Sequence, residues 1–215
     1  MAHFADLRAR MVERQLRRRG IEDERVLAAM EAVPRERFVP EPMRRRAYAD
    51  SALPIGEEQT ISQPWIVASI CQALQLEGSE LVLEVGTGSG YSAAVLAELA
   101  AHVVSIERRQ ALSAAAGDVL DSLGAANVEL FVGDGSLGVA ARAPFDAIAV
   151  HATALAAPPA LIEQLAEGGR LVLPLSVGDV DMLTVLRRHG ERTEISELGP
   201  CRFVPLIGEG GFDDD

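Results

Sequence analysis

Apolar residues along the first third of the chain recur at helical spacing. Phe4, Leu7, Met11 and Leu16 fall near one stripe, which predicts a helix over 4–19 that Gly20 stops. Val26, Leu27 and Met30 predict a second helix from Asp23 to Ala32, ended by Pro34. The pattern then lapses. Residues 34–64 carry prolines at 34, 40, 42, 54 and 64 and are predicted to be irregular. So long a stretch without regular structure is uncommon in a compact domain unless it is functional. Pro64 opens a further helix, Trp65 to Leu74, at the position where proline is favoured.

From residue 81 onward, short apolar runs alternate with helical stretches. Leu81–Leu83 reads as a strand closing on Glu84, followed by Gly86, Gly88 and Gly90 and a helical stretch through Ala93–Leu96. Val103–Ile106 closes on Glu107, helix 109–123 stops at Gly124, and strand 128–132 runs into Gly133-Asp134-Gly135. A strand over 145–150 follows Pro144, then a helix from Pro159 to Ala166, stopped by Gly168-Gly169. A strand from Arg170 toward Leu175 ends at Pro174. Residues 182–188 and 194–198 pair around Gly190, 201–207 is extended, and the acidic tail from Gly208 is expected to fray. This alternation predicts an α/β fold: a doubly wound, mostly parallel, Rossmann-like sheet with N-terminal helices and extra C-terminal strands. One domain is expected, with a helical cap and loop over 1–64, an α/β core over 65–200 and a terminal strand and tail over 201–215. Glu84, Glu107 and Asp134 would then share the ligand-binding edge at the carboxyl ends of the strands.

Composition narrows the class. The chain has 215 residues, 48% hydrophobic, enough for one substantial core. Cys71 and Cys201 lack metal-ligand spacing and the four histidines do not cluster, so neither a disulfide framework nor a metal site is expected. No stretch reads as a membrane span or signal peptide, so a cytoplasmic protein is the expectation, and it is expected to be a monomer. Residues 1–46 hold twelve arginines against eight acids, whereas the remainder holds eight arginines against twenty-four acids. That acidic excess argues against nucleic acid as a partner, since such binding draws on phosphate neutralisation. The arginine runs 17–19 and 44–46 read as solvated faces with local ion pairs.

The candidate chemistry lies in the glycine turn and in a polar run. The turn is E-x-G-x-G-x-G rather than G-x-G-x-x-G, and no second phosphate-binding element follows; this suits S-adenosylmethionine, which has no phosphates. An ordinary tight strand-to-helix turn gives the same glycines. Glu107 lies 21 residues after Gly86, where such folds place a carboxylate for two ribose hydroxyls. Gln59, Thr60, Ser62 and Gln63 crowd four hydrogen-bonding groups ahead of the helix at Pro64. They read equally as an anion site or as a helix-capping loop with Ser62 as the cap.

Together the segments AYADSALPIGEEQTISQP, LEVGTGSGYSAAVLAEL, VVSIER, NVELFVGDG, PFDAIAV, GGRLVLP and CRFVPL resemble the protein-L-isoaspartate O-methyltransferase family, over about Met11 to Gly211. The LPIG…QTISQP segment and the RFVPL ending are the most specific. The resemblance implies S-adenosylmethionine as cofactor and methyl transfer to the free α-carboxylate of isoaspartyl residues in damaged proteins and peptides. The ester then collapses to a succinimide that can hydrolyse to aspartate. It implies Ser62 as the active-site serine, with Gln59, Thr60, Ile61, His151, Arg202 and Val204 on the substrate side. It also implies that Gly86, Thr87, Gly88, Ser89 and Gly90 hold the methionine end, Glu107 the ribose, and Asp134 with Gly135 the adenine, with Glu84 also among the cofactor-binding residues.

The chain departs from the family pattern at three places. His151 stands where a threonine is usual, Leu155 where a proline is usual, and Glu58 where a glycine is common. A methyltransferase of nucleobase amines would need an Asn/Asp-Pro-Pro-aromatic motif, which Pro158-Pro159 do not form. A cofactor-binding domain without activity, or with another acceptor, is the alternative reading.

Overall fold

The computed structural model describes residues 2–214. Helix α1 (Ala2–Met11) continues as a wide turn over Val12–Leu16 and a tight one over Arg17–Arg19, where a regular helix to 19 was expected. The wide turn brings Leu16 under Met11, five residues before it, so that Met11, Val12 and Leu16 are all buried. Helix α2 (Glu24–Ala32) is capped by Asp23, whose carboxylate accepts from the amides of Arg25 and Val26.

The proline-rich stretch is not wholly irregular. It holds tight turns at Arg35–Phe38 and Glu41–Arg46, then a hairpin of β1 (Leu53–Gly56) and β2 (Gln59–Ile61). Helix α3 (Pro64–Leu74) follows. Its cap is Gln63, without a side-chain capping bond, so Ser62 does not serve as the cap.

The core alternates β3 (Leu81–Val85), α4 (Tyr91–Ala97), β4 (His102–Glu107), α5 (Gln110–Leu123), β5 (Val128–Val132), β6 (Phe145–Val150) and α6 (Pro159–Glu163). The chain closes with β7 (Leu165–Val177), β8 (Val180–His189) and β9 (Arg192–Cys201). The sheet order is β5-β4-β3-β6-β7-β8-β9. Pairing is parallel from β5 to β7 and antiparallel across β7–β8 and β8–β9. The order therefore reverses between β3 and β6, where an α/β sheet opens a cleft.

Strand alternation divides the core. Val82, Val103, Ala147 and Val172 face one layer with α1 to α4, while Leu83, Val104, Ile148 and Leu171 face the other with α6. The N-terminal helices thus complete one helical layer of the sheet.

The strand and helix boundaries around β7 differ from the sequence expectation. Helix α6 stops at Glu163 rather than Ala166, because Leu165 already pairs with Phe145 at the start of β7. Strand β7 also runs through Pro174 instead of ending there. The Pro174 carbonyl accepts from the Ala154 amide, beyond the end of β6, so its missing N–H faces a side with no strand to bond. Among the described residues no helix is long and apolar enough to cross a membrane, and no cluster of His, Cys, Asp or Glu could hold a metal.

Candidate functional site

The carboxyl ends of β3, β4 and β6 open onto a cavity of about 700 Å³. Its floor is the turn after β3, where Gly86, Gly88 and Gly90 have φ of 94°, 53° and 85°. L side chains rarely adopt these angles, so the alternating glycines are needed for the turn. The β1–β2 hairpin roofs it: a Cβ on Gly88 would stand 3.5 Å from Ile55 Cδ1.

Glu107 closes β4 and is 6% exposed. Its Oε2 accepts from the Gly88 amide at 2.9 Å and its Oε1 from the Arg109 amide at 3.0 Å. A carboxylate has about four acceptor positions, so capacity remains for a ligand in the cavity that Glu107 lines. Gly86, Thr87, Gly88, Ser89 and Gly135 line the same cavity. At Gly135 a Cβ would stand 2.5 Å from Val85 Cγ1, so only glycine lets the end of β5 pass so close to β3. Gly90 is buried behind the turn, against Ala116 of α5, and does not line the cavity.

Glu84 is not on the ligand edge. It lies one residue inside β3, fully buried, on the face that Val82 shares, under α4. It was expected beside Glu107 and Asp134, but strand alternation turns it into the layer. Its Oε2 accepts from Ser105 Oγ at 2.5 Å, and Ser105 in turn contacts Thr87 Oγ1. The Thr87 side chain is therefore turned into the sheet, leaving its backbone for the cavity.

Burial pushes the Glu84 carboxyl up to about 8 and holds the His151 imidazole down to about 4. His151 Nε2 lies 2.7 Å from Ser92 Oγ and 3.5 Å from Glu84 Oε1. At neutral pH both groups are mainly uncharged, so this contact is a neutral pair. Serine, histidine and acid do meet here, but serine and acid share one ring nitrogen. A hydrolytic triad uses both nitrogens, one for each partner, so this group is not built as one.

Asp134 stands beside the main cavity, on a smaller one of about 500 Å³. Its Oδ1 accepts from the Ser136 amide and hydroxyl at 2.9 and 2.7 Å, and its Oδ2 from the Glu209 amide at 2.8 Å. Partial burial opposes ionisation, yet the bonds from Ser136 and Glu209 hold its carboxyl below the ordinary range.

The opposite wall carries the polar run. Gln59, Thr60, Ile61 and Ser62 all line the cavity, facing His151 and Val204. Val204 is placed by its carbonyl, which accepts from the Thr153 amide at 2.8 Å. Arg202 is exposed and does not line the cavity, contrary to its expected place on the substrate side. Glu58 is exposed at the rim.

Sequence reasoning missed Arg108 and Arg109, which line the cavity after Glu107, and the whole tail. Expected to fray, the tail turns back instead: Phe212 donates to the Leu206 carbonyl and Gly208 to the Phe212 carbonyl. Arg108 pairs with Asp214, and Phe212, Asp213 and Asp214 line the cavity. A Cβ on Gly208 would collide with the Asp134 carboxylate. The only sequence signal for this fold-back was the glycine spacing 208, 210 and 211, which also suits a loose tail.

Residues 7–211 match the family described as protein-L-isoaspartate(D-aspartate) O-methyltransferase. A protein-L-isoaspartate O-methyltransferase of Koribacter versatilis is 52% identical over 97% of this chain and 94% of its own length. One from Methanoculleus marisnigri is 50% identical over 95% and 93%. A solved protein-L-isoaspartate O-methyltransferase superposes with a TM-score of 0.85 at 29% identity, covering 95% of this chain and 67% of that one. A Plasmodium falciparum structure in complex with S-adenosyl-L-homocysteine superposes at 0.81 and 24% identity, over 93% and 98%.

Proposed function

The chain belongs to the protein-L-isoaspartate(D-aspartate) O-methyltransferase family, and from that premise we propose that it methylates the free α-carboxylate of isoaspartyl residues in proteins and peptides. The observation that carries the reading is the shared cavity. One wall is a glycine turn tied to an acid, and the other is the Gln59–Ser62 run.

The residues present fit S-adenosylmethionine. The positive-φ glycine turn leaves room for a ligand at the backbone, and Glu107 keeps acceptor capacity for ribose hydroxyls. When bound, this cofactor supplies a methyl group made electrophilic by its sulfonium. Asp134, Ser136 and the folded tail flank the far end, where the adenine would lie.

The acceptor needs no general base, because a carboxylate with a reference pKa near 4 is ionised at neutral pH. The protein's task is to hold the acceptor oxygen in line with the methyl and to keep competing water out, which is catalysis by positioning. Ser62 and Thr60 supply hydroxyls, and the β2 backbone supplies amides, to grip the carboxylate and the peptide beside it. The neutral His151 adds no charge that would hold the acceptor away from the donor.

An isoaspartyl and an aspartyl peptide differ by a methylene moved between side chain and backbone. An apolar pocket separates such pairs by only about 1–3 kcal/mol, whereas a hydrogen-bonding site leaves polar groups unpaired with the wrong isomer. A methyl-transfer assay on an isoaspartyl peptide beside its aspartyl twin tests the reading. Methylation of the first alone is expected, and equal methylation of both would overturn it.

A further inference from the structure

Arg35 is the largest fully buried side chain of the described residues, and nothing in the mechanism above uses it. It sits in the turn Arg35–Phe38 with its donors on two carbonyls distant in sequence. Nε donates to Ala47 at 2.7 Å and Nη2 to Ser62, also at 2.7 Å, while Nη1 has no partner among the described residues. The guanidinium lies 4.8 Å from the centroid of the Tyr91 ring, and Phe38, from the same turn, meets that ring edge-on at 5.6 Å. Tyr91 directly follows Gly90, so it opens the helix that begins at the glycine turn. One residue therefore touches both the loop of Ser62 and the helix of the cofactor turn.

Resting on the function proposed above, we propose that Arg35 is a positioning residue for the acceptor site, fixing the Ser62 backbone against Tyr91 and leaving a positive charge behind the acceptor carboxylate.

Two features separate this from simple loop anchoring. A buried guanidinium bonded to carbonyls alone is costly, since no carboxylate offsets its desolvation. Neutral donors would tie two carbonyls at less cost. The charge also persists, because burial lowers the Arg35 pKa only to about 10. The substrate group that would arrive at Ser62 is an anion, so a cation one carbonyl away, with no carboxylate bonded to it, favours it. Lysine cannot replace this role fully, because it is a point charge without the planar fork that reaches two carbonyls at once.

The test compares wild type with R35K and R35Q. Steady-state kinetics on an isoaspartyl peptide at saturating S-adenosylmethionine are read beside calorimetric affinity for S-adenosyl-L-homocysteine and the melting temperature. R35Q is expected to raise KM for the peptide by about tenfold or more, as for loss of a charged hydrogen bond. Cofactor affinity should stay within about twofold, since Arg35 bonds to neither the glycine turn nor Glu107 and meets the Tyr91 ring only by packing. R35K should lie between, because it keeps the charge and loses one bond. A merely structural role would lower the melting temperature and weaken peptide and cofactor together, which would overturn the inference. An unchanged KM in both variants would overturn it too. If R35Q does not fold, R35K decides: KM at the wild-type value refutes the proposal, and a raised KM with unchanged cofactor affinity supports it. A wild type that binds S-adenosyl-L-homocysteine but methylates no isoaspartyl peptide refutes the functional reading itself. An active wild type with indifferent variants refutes only the role of Arg35.

Discussion

The Glu107 carboxylate accepts from the Gly88 amide at 2.9 Å, so the acid at the end of β4 and the glycine turn after β3 act as one unit. Glu107→Ala should damage that unit twice, by removing the acceptor for the ligand and by freeing the turn. Hydrogen bonds to charged groups contribute about 1.5–3 kcal/mol each, so affinity for S-adenosyl-L-homocysteine should fall by about ten- to a hundredfold. Calorimetric titration of the folded variant checks this, and unchanged affinity would remove Glu107 from the cofactor site.

Ser62 is expected to act on the acceptor alone. Ser62→Ala keeps the carbonyl that Arg35 holds and removes only the hydroxyl. Turnover on isoaspartyl peptide should drop about tenfold while cofactor affinity stays within about twofold, the size expected for one hydrogen bond. Parallel loss of both quantities would show that Ser62 shapes the whole cavity.

Glu84 and His151 give stability opposite pH dependences. The Glu84 carboxyl titrates at about 8 in the folded protein against an ordinary 4.5, so the folded state keeps a proton that the unfolded state releases. That contribution is full below the ordinary value and is lost as pH rises through about 8. His151 is lowered to about 4 from 6.5, so its contribution is present above 6.5 and is lost as pH falls through about 4. Each pKa unit corresponds to about 1.4 kcal/mol, and the two trends offset each other below 6.5, so urea midpoints should decline measurably between about pH 6.5 and pH 8 and level off above it. Glu84→Gln should flatten that alkaline decline. An equal decline in the variant would assign it to other groups.

Asp134 holds the tail through the Glu209 amide and, on the function proposed above, borders the adenine. Asp134→Ala leaves the amides of Ser136 and Glu209 without their acceptor, whereas Asp134→Asn keeps one oxygen for one of them. Alanine should therefore weaken S-adenosyl-L-homocysteine binding more than asparagine does, with each lost bond worth about 1 kcal/mol. Deleting residues 209–215 should weaken it as well, because Phe212 lines the cavity. A deletion variant with wild-type affinity would show that the tail lies clear of the ligand.

The sequence by itself determined what depends on near neighbours. Periodicity placed the strands and helices of residues 81–163 to within a few positions, and the 86-88-90 glycines marked the turn at which β3 hands over to α4. Gly20 and Gly124 marked helix ends, because both adopt left-handed φ there. The QTIS run and Glu107, which line the cavity, could be picked out because each is fixed by its own strand end. Tertiary structure decided which way side chains face and what meets across long separations. Glu84 reads as a third edge acid, but alternation within β3 buries it beneath α4, where Ser105 and His151 surround it. Arg35 carries no local signal; its meaning lies in carbonyls 12 and 27 residues away. The tail reads as loose acid and glycine until Asp134, 75 residues earlier, accepts from Glu209. Local pattern reports the balance between backbone geometry and burial for one element at a time. The partners of a desolvated charge or a buried amide are chosen only when the whole chain has closed around them.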